Sequence, residues 1–258
     1  MGFLRLLALL AALLVLSDRS AAQGDELERA GIREVFIELP SGTTLEYFRI
    51  DAPPGVDGAP SPLPIGVARW ISGPDPEVGF KWRTELEVSY FAEGTRVLQI
   101  ERVGPEEREL VFRELRDRSG RTVTLRMNKA GEAESSVAFG GDILRRSYEV
   151  GTGAALPLSI VEVARRGEPI HGPIPIFEPL SNGFEELTVA VSKEDGHRRL
   201  TLRRSGLLVG DYEFDEQGLA AFSWQRGGPR ATRIDSEAFA RMQRNARPLD
   251  AAATGNED

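Results

Sequence analysis

The residues able to do acid–base, metal or nucleophilic chemistry are few in this 258-residue chain, and they do not converge in any recognised spacing. There are two histidines, His171 and His197, and no cysteine. That excludes disulfides, thiolate metal sites and a cysteine nucleophile, and it leaves too few imidazoles for a multi-histidine metal centre. His171 sits between prolines in Glu168-Pro-Ile-His-Gly-Pro. It reads as a loop histidine without a role, with a general base on a rim loop as the alternative. His197 is read as the cross-strand partner of Asp215, and nothing in the spacing supports a Ser-His-Asp site.

Carboxylates are plentiful. Glu85 and Glu87 fall on one strand face, as do Asp211, Glu213 and Asp215. A glycosidase needs two carboxyls at roughly 5–10 Å, and any pair at i, i+2 meets that distance without being a site. Alternation with Leu86, Val88, Tyr212 and Phe214 reads instead as a solvated face. Gly151-x-Gly153 lacks the third glycine of a dinucleotide fingerprint and precedes a proline-started helix outside any βαβ unit, so it is read as a loop. The arginine doublets Arg145-Arg146, Arg165-Arg166, Arg198-Arg199 and Arg203-Arg204 send one side chain to each face where they lie on strands. No catalytic, cofactor-binding or metal-ligating residue is assigned, and no cofactor is expected. A hydrolase using paired carboxylates stays as the least favoured alternative.

The formal net charge of −8 argues against nucleic acid as a partner. Basic residues are 29 Arg against 3 Lys. The first 22 residues have the form of a secretory signal: Arg5, an 11-residue apolar run from Leu6 to Leu16, then Ser20-Ala21-Ala22 before Gln23. That run is short of the ~20 residues that span a bilayer, which favours a cleaved leader over a retained anchor. No second long apolar run follows, so no transmembrane segment is expected in the mature chain. The expected location is outside the cytoplasm, periplasmic or extracellular, in a bacterium.

The elements that would position any site are strands. Segments 34–39 and 44–50 flank Pro40-Ser41-Gly42, and residues 23–64 are taken as N-terminal strands and a Pro-rich linker. Period-two runs then recur at 80–91, 95–103, 108–116, 121–128, 133–139 and 143–150, and again at 184–192, 197–204, 207–214, 219–226 and 230–234. Glycine-bearing turns separate them, which is the mark of an antiparallel meander. Two segments read as helices. Residues 157–166 have Pro157 at the start and Gly167 past the end, and residues 236–245 are opened by Asp235 or Ser236. The β domain is expected over 65–246, with a disordered tail at 247–258.

Parity sets the faces. The hairpin 108–116/121–128 is expected to pair Phe112 with Leu125, Leu110 with Met127 and Glu114 with Val123. For 197–204/207–214, a three-residue loop Ser205-Gly206-Leu207 is preferred because it opposes Leu200 to Tyr212, Arg199 to Glu213 and His197 to Asp215. The resulting apolar, ligand-facing side carries Leu86, Val88, Tyr90, Leu98, Ile100, Leu110, Phe112, Val123, Leu125 and Met127. Arg102 and Glu114 fall on the same side as charges at a cavity mouth. Two helices offer too little cover for such a face. A mainly β fold follows: a long antiparallel meander curved into an incompletely closed barrel, with one mid-chain and one C-terminal helix packed into its concavity.

This pattern of signal peptide, long meander and single mid-chain helix resembles the outer-membrane lipoprotein-carrier type of envelope protein over most of residues 30–240. The resemblance implies an unclosed barrel whose concave side holds acyl chains, hence a lipid or a lipidated envelope protein as partner. The alternative is a structural or protein-interaction module of the envelope with a filled core.

Overall fold

Alternating apolar and polar residues form fourteen strands of one sheet in the computed structural model, which describes residues 39–53, 64–92, 94–116, 119–170, 172–194, 197–224 and 228–245. The strands are β1 (Thr44–Asp51), β2 (Pro64–Pro74), β3 (Trp82–Tyr90), β4 (Arg96–Val103), β5 (Glu107–Arg116), β6 (Ser119–Asn128), β7 (Glu132–Phe139) and β8 (Asp142–Glu149). After the helix α1 (Pro157–Arg165) come β9 (Gly172–Glu178), β10 (Gly183–Glu194), β11 (His197–Arg204), β12 (Leu207–Asp215), β13 (Gly218–Ser223) and β14 (Arg230–Ile234), then the helix α2 (Ser236–Asn245). The expected leader over 1–22, the strand at 34–39 apart from Leu39, most of the Pro-rich segment and the tail at 247–258 lie outside the described residues, as does His171.

The spatial order is β8-β7-β6-β5-β4-β3-β2-β1-β14-β13-β12-β11-β10-β9. The first described strand, β1, therefore lies in the middle of the sheet, and the chain meanders from it out to one edge at β8. It crosses through α1 to the opposite edge at β9, then meanders back until β14 pairs with β1 through Tyr47↔Ile234 and Ile50↔Ala231. Every ladder is antiparallel. If fourteen strands lay flat, their outer edges would stand about 60 Å apart at the usual strand spacing. Here the Tyr148 hydroxyl of β8 donates to the Asn182 carbonyl, just past β9, at 2.5 Å. The sheet is curled until its edges nearly meet, and no ladder joins β8 to β9 among the described residues.

The curl creates one inner face, and α1 fills its middle. Leu158, Ile160, Val161 and Ala164 of α1 are buried against Phe48, Trp70, Leu86, Val88, Leu200, Leu219 and Phe222. Burial of each of the larger α1 side chains contributes about 2 kcal/mol. A second cluster joins Leu110, Phe112, Val123, Leu125 and Met127 to Ala154 and Leu156 of the connector before α1, and to Phe177 of β9. The mid-chain helix is thus packed into the concavity as expected. The C-terminal helix is not. The ring of Phe239 in α2 lies 4.6 Å from that of Tyr47, whose side chain points away from its buried neighbour Phe48, so α2 covers the outer face.

Two strands escape the sequence reading. β2 is central, yet Pro64, Gly66, Gly73 and Pro74 punctuate it like a loop. Gly66 is required there, since a Cβ would come within 2.5 Å of the Ser89 carbonyl oxygen on β3. β9 carries Pro173 and Pro175, which an edge strand tolerates because one side of its backbone needs no ladder.

Candidate functional site

The helix α1 has no local cap at its start. Leu156 occupies the N-cap position and has no side chain that accepts a hydrogen bond, so the first amides need a distant acceptor. Glu101 of β4 supplies it. Its Oε1 accepts from Leu158 N (2.8 Å) and Gln99 Nε2 (2.7 Å), and its Oε2 from Ser159 N (2.7 Å) and Ser159 Oγ (2.8 Å). Glu101 is 1% exposed, and burial pushes its pKa up to about 7 despite these donors. At the other end, Arg198 of β11 donates from Nη1 to the carbonyls of Ala164 (2.9 Å) and Arg165 (2.6 Å). Acceptor oxygens at the N-terminus and a cation at the C-terminus both complement the helix dipole. The sheet holds its plug by both poles.

A further polar network lies beside the helix. Trp70 Nε1 donates to Glu162 Oε1 at 2.9 Å, and Arg165 Nη2 to Glu46 Oε1 at 2.9 Å. Glu46 also accepts from Leu219 N at 3.0 Å. Burial raises the pKa of Glu46, and Arg165 opposes that rise. Within this network Glu46 Oε2 and Arg165 Nη1 are buried without a hydrogen-bond partner, the latter lying 3.7 Å from Glu162 Oε1.

The remaining chemistry-bearing residues are scattered in ion pairs on the outer face. Glu87 meets Arg69 (2.7 Å) and Arg96 (3.0 Å), and Glu85 meets Arg83 (2.7 Å). The solvated carboxylate face expected there is instead laced with arginines. Asp211, Glu213 and Asp215 pair with Arg199, Arg230 and Arg233 in turn. The expected partnership of His197 with Asp215 is therefore corrected: Arg233 takes the carboxylate, and His197 stands exposed opposite Glu194.

The sequence-assigned apolar face divides. Leu86, Val88, Leu110, Phe112, Val123, Leu125 and Met127 are buried on the inner side, and Tyr90 is partly buried there. Leu98 and Ile100 are not on it. The register Leu86↔Gln99 and Leu110↔Glu101 turns Val97, Gln99 and Glu101 inward and sends Leu98 and Ile100 to the outer face. The physical reason is the uncapped start of α1, which makes a polar residue worth more than leucine or isoleucine at that place. Arg102 follows them outward. It meets Asp75 (3.4 Å), Glu77 and Glu109 (3.7 Å), and its guanidinium lies 5.8 Å from the Phe80 ring, so it is not at a mouth of the inner side. Glu114 does lie on the inner side, near a strand end, opposite Arg121 and paired with Arg116 at 3.0 Å.

Hairpin details also differ. In β5–β6 the pairs are Leu110↔Leu125 and Phe112↔Val123, a shift of two residues from the expected register that keeps the same face. Glu114 thereby meets Arg121, so opposite charges replace the expected Glu114–Val123 contact. In β11–β12 the pairs Leu200↔Tyr212 and Arg199↔Glu213 are as expected. They arise from a two-residue turn, with Ser205 at φ 47° and Gly206 at φ 83°, plus a register shift at Leu202/Arg203 that replaces the third loop residue.

Among the described residues, the inner face becomes exposed toward the β8 edge. The row Phe112–Val123–Val137–Leu144 runs across β5 to β8 and passes from buried to 53% exposed at Leu144. Phe139, on the same side, is 58% exposed. Arg121 reaches over this region and donates to the carbonyls of Leu180 (2.9 Å) and Pro179 (3.2 Å), and Leu180 is itself 58% exposed. Arg146 donates to Asn182 O at 3.3 Å. An apolar strip with guanidinium groups beside it is the candidate site. A cleft of about 750 Å³ near Tyr148 has a mixed lining, with Glu107, Glu132, Glu134 and Glu149 beside Met127 and Ala133. Val137, Phe139, Leu144 and Leu180 were missed in the sequence because edge exposure depends on strand order, which no local pattern reports.

No family model matches the chain, and no curated protein matches it. Among solved structures it is similar to a beta-barrel-like protein of domain of unknown function DUF1849 from Brucella abortus, at 9% identity, 75% coverage of this chain and 96% of that one, with a TM-score of 0.49.

Proposed function

We propose that this is a non-enzymatic envelope protein that binds one acyl chain, of a lipid or a lipidated partner, on the uncovered end of its inner face. The observation that carries the reading is the row ending at Leu144 with Phe139 beside it, large apolar side chains left more than half exposed on the side that is elsewhere buried. Isolated exposed apolar residues are ordinary, whereas a contiguous patch continuous with a core marks a binding surface. Arg121 and Arg146 border it and suit an anionic head group. The middle of the concavity, where the carrier resemblance would place the ligand, belongs to α1.

That same plug favours a second reading, a structural module with a filled core. The two separate in a binding assay with a fluorescent fatty acid. The acyl reading expects saturable enhancement, reduced at least about tenfold by Phe139→Glu with Leu144→Glu, which lie at exposed positions and leave the fold intact. A protein that purifies free of lipid and gives no fluorescence change overturns it in favour of the filled module.

A further inference from the structure

The two edges of the sheet are built differently. β9 carries Pro173 and Pro175, which cannot donate to a neighbouring strand, and its backbone is bridged by the connector: Ala155 N donates to Pro175 O at 2.9 Å and Phe177 N to Ala155 O at 3.2 Å. Prolines and cover are the usual means of blunting an edge. β8 has neither. It contains no proline, it is the terminal strand of the order, and seven of its eight residues are exposed. Val150 N bonds Gly131 O in line with the β7–β8 register, so by antiparallel alternation Ile143, Arg145, Ser147 and Glu149 aim their N–H and C=O groups away from β7.

Side chains on β8 select what can pair. Ile143 and Arg145 lie on the outer face, and Leu144 and Arg146 on the inner face. Each face therefore shows one apolar group followed by one cation. A second copy is a poor partner, because an antiparallel pair must oppose the outward-aimed residues 143, 145, 147 and 149 to one another, and the two registers of greatest overlap that do so set Arg146 against Arg146 or Arg145 against Arg145. We infer that β8 accepts, by antiparallel strand addition, an extended segment of another polypeptide carrying two consecutive acidic residues followed by two apolar ones. Its acidic pair lies opposite Arg146 and Arg145, and its apolar pair lies opposite Leu144 and Ile143. Main-chain hydrogen bonds supply affinity in this mode, and alternate side chains supply choice. This inference goes beyond the acyl site, since it uses the backbone edge and Arg145, which the strip on the inner face does not.

The test is fluorescence polarisation with a labelled peptide Thr-Glu-Glu-Val-Ile-Thr and its Thr-Lys-Lys-Val-Ile-Thr counterpart. The full chain is expected to bind the Glu-Glu peptide at least about tenfold better than the Lys-Lys peptide at low salt. The double variant R145E/R146E is expected to reverse that preference. Ser147→Pro removes an outward N–H and is expected to abolish binding of both peptides while its circular dichroism stays that of the wild type. Each variant is also titrated with the fluorescent fatty acid, so loss of acyl binding is read independently of loss of peptide binding. Absence of binding to either peptide overturns the inference, as does a preference that survives charge reversal or binding that survives Ser147→Pro.

Discussion

Glu101 concentrates the tension between packing and solvation in a single side chain. It is buried, it holds the first turn of α1, and its pKa is pushed up to about 7. A carboxyl whose folded pKa lies above its unfolded value near 4.5 binds its proton more tightly in the native state. Its contribution to stability is therefore fully present below about pH 4.5 and is lost as pH rises through about 7. Glu101→Gln removes the titration and replaces one acceptor oxygen by an amide nitrogen facing the helix amides. Urea unfolding of wild type and variant should show the wild type's advantage shrinking by roughly 3 kcal/mol between pH 4.5 and pH 8. A constant difference across that range would mean that the carboxylate stays charged throughout. Glu46 is buried beside Arg165, which answers its charge directly; Glu101 has only dipoles.

Among the elements, the turns show how much was legible in advance. At Ser205-Gly206 both residues have positive φ, the conformation favoured in two-residue hairpins, yet serine is a poor occupant of the first place. Ser205→Asn should stabilise the protein by up to about 1 kcal/mol, measured as a higher midpoint in thermal unfolding. Most strands, both helices and the face of β3, β5 and β6 could be read from period-two alternation and end signals. The face of β4 could not. Its alternation offers Val97-Gln99-Glu101 or Leu98-Ile100 as the inner set, and hydrophobicity alone chooses the wrong one. The choice is made by α1, about sixty residues later, through an uncapped N-terminus that needs a carboxylate. β2 and β9 were hidden by prolines and glycines that serve close approach and edge protection instead of turns. The uncovered strip was hidden for another reason: whether Leu144 is core or surface is decided by β8 being last in the order, a property of topology.

At the scale of the whole sheet, stability should be graded from centre to edge. β1 and β2 carry Phe48, Ile50, Ala68 and Trp70 at 1% exposure or less, and each is paired on both sides. β8 is paired on one side and exposed on both faces. Local opening follows buried contacts and shared ladders. Amides of β7-bonded residues in β8 should exchange with solvent at least about a hundredfold faster than those of β1, read by hydrogen exchange with mass spectrometry. Equal protection of the two would mean that β8 is covered in solution.

The pairing of β1 with β14 sets a timetable as well as a topology. Tyr47 meets Ile234, so the first of the described strands in chain order waits for the last of them before its second neighbour exists. Through that interval its open flank would recruit any passing strand. Contacts so distant in sequence make folding slow, because loop closure must precede the reward of pairing. The chain must therefore complete its native structure after synthesis, as a closing of two ribbons at a central seam.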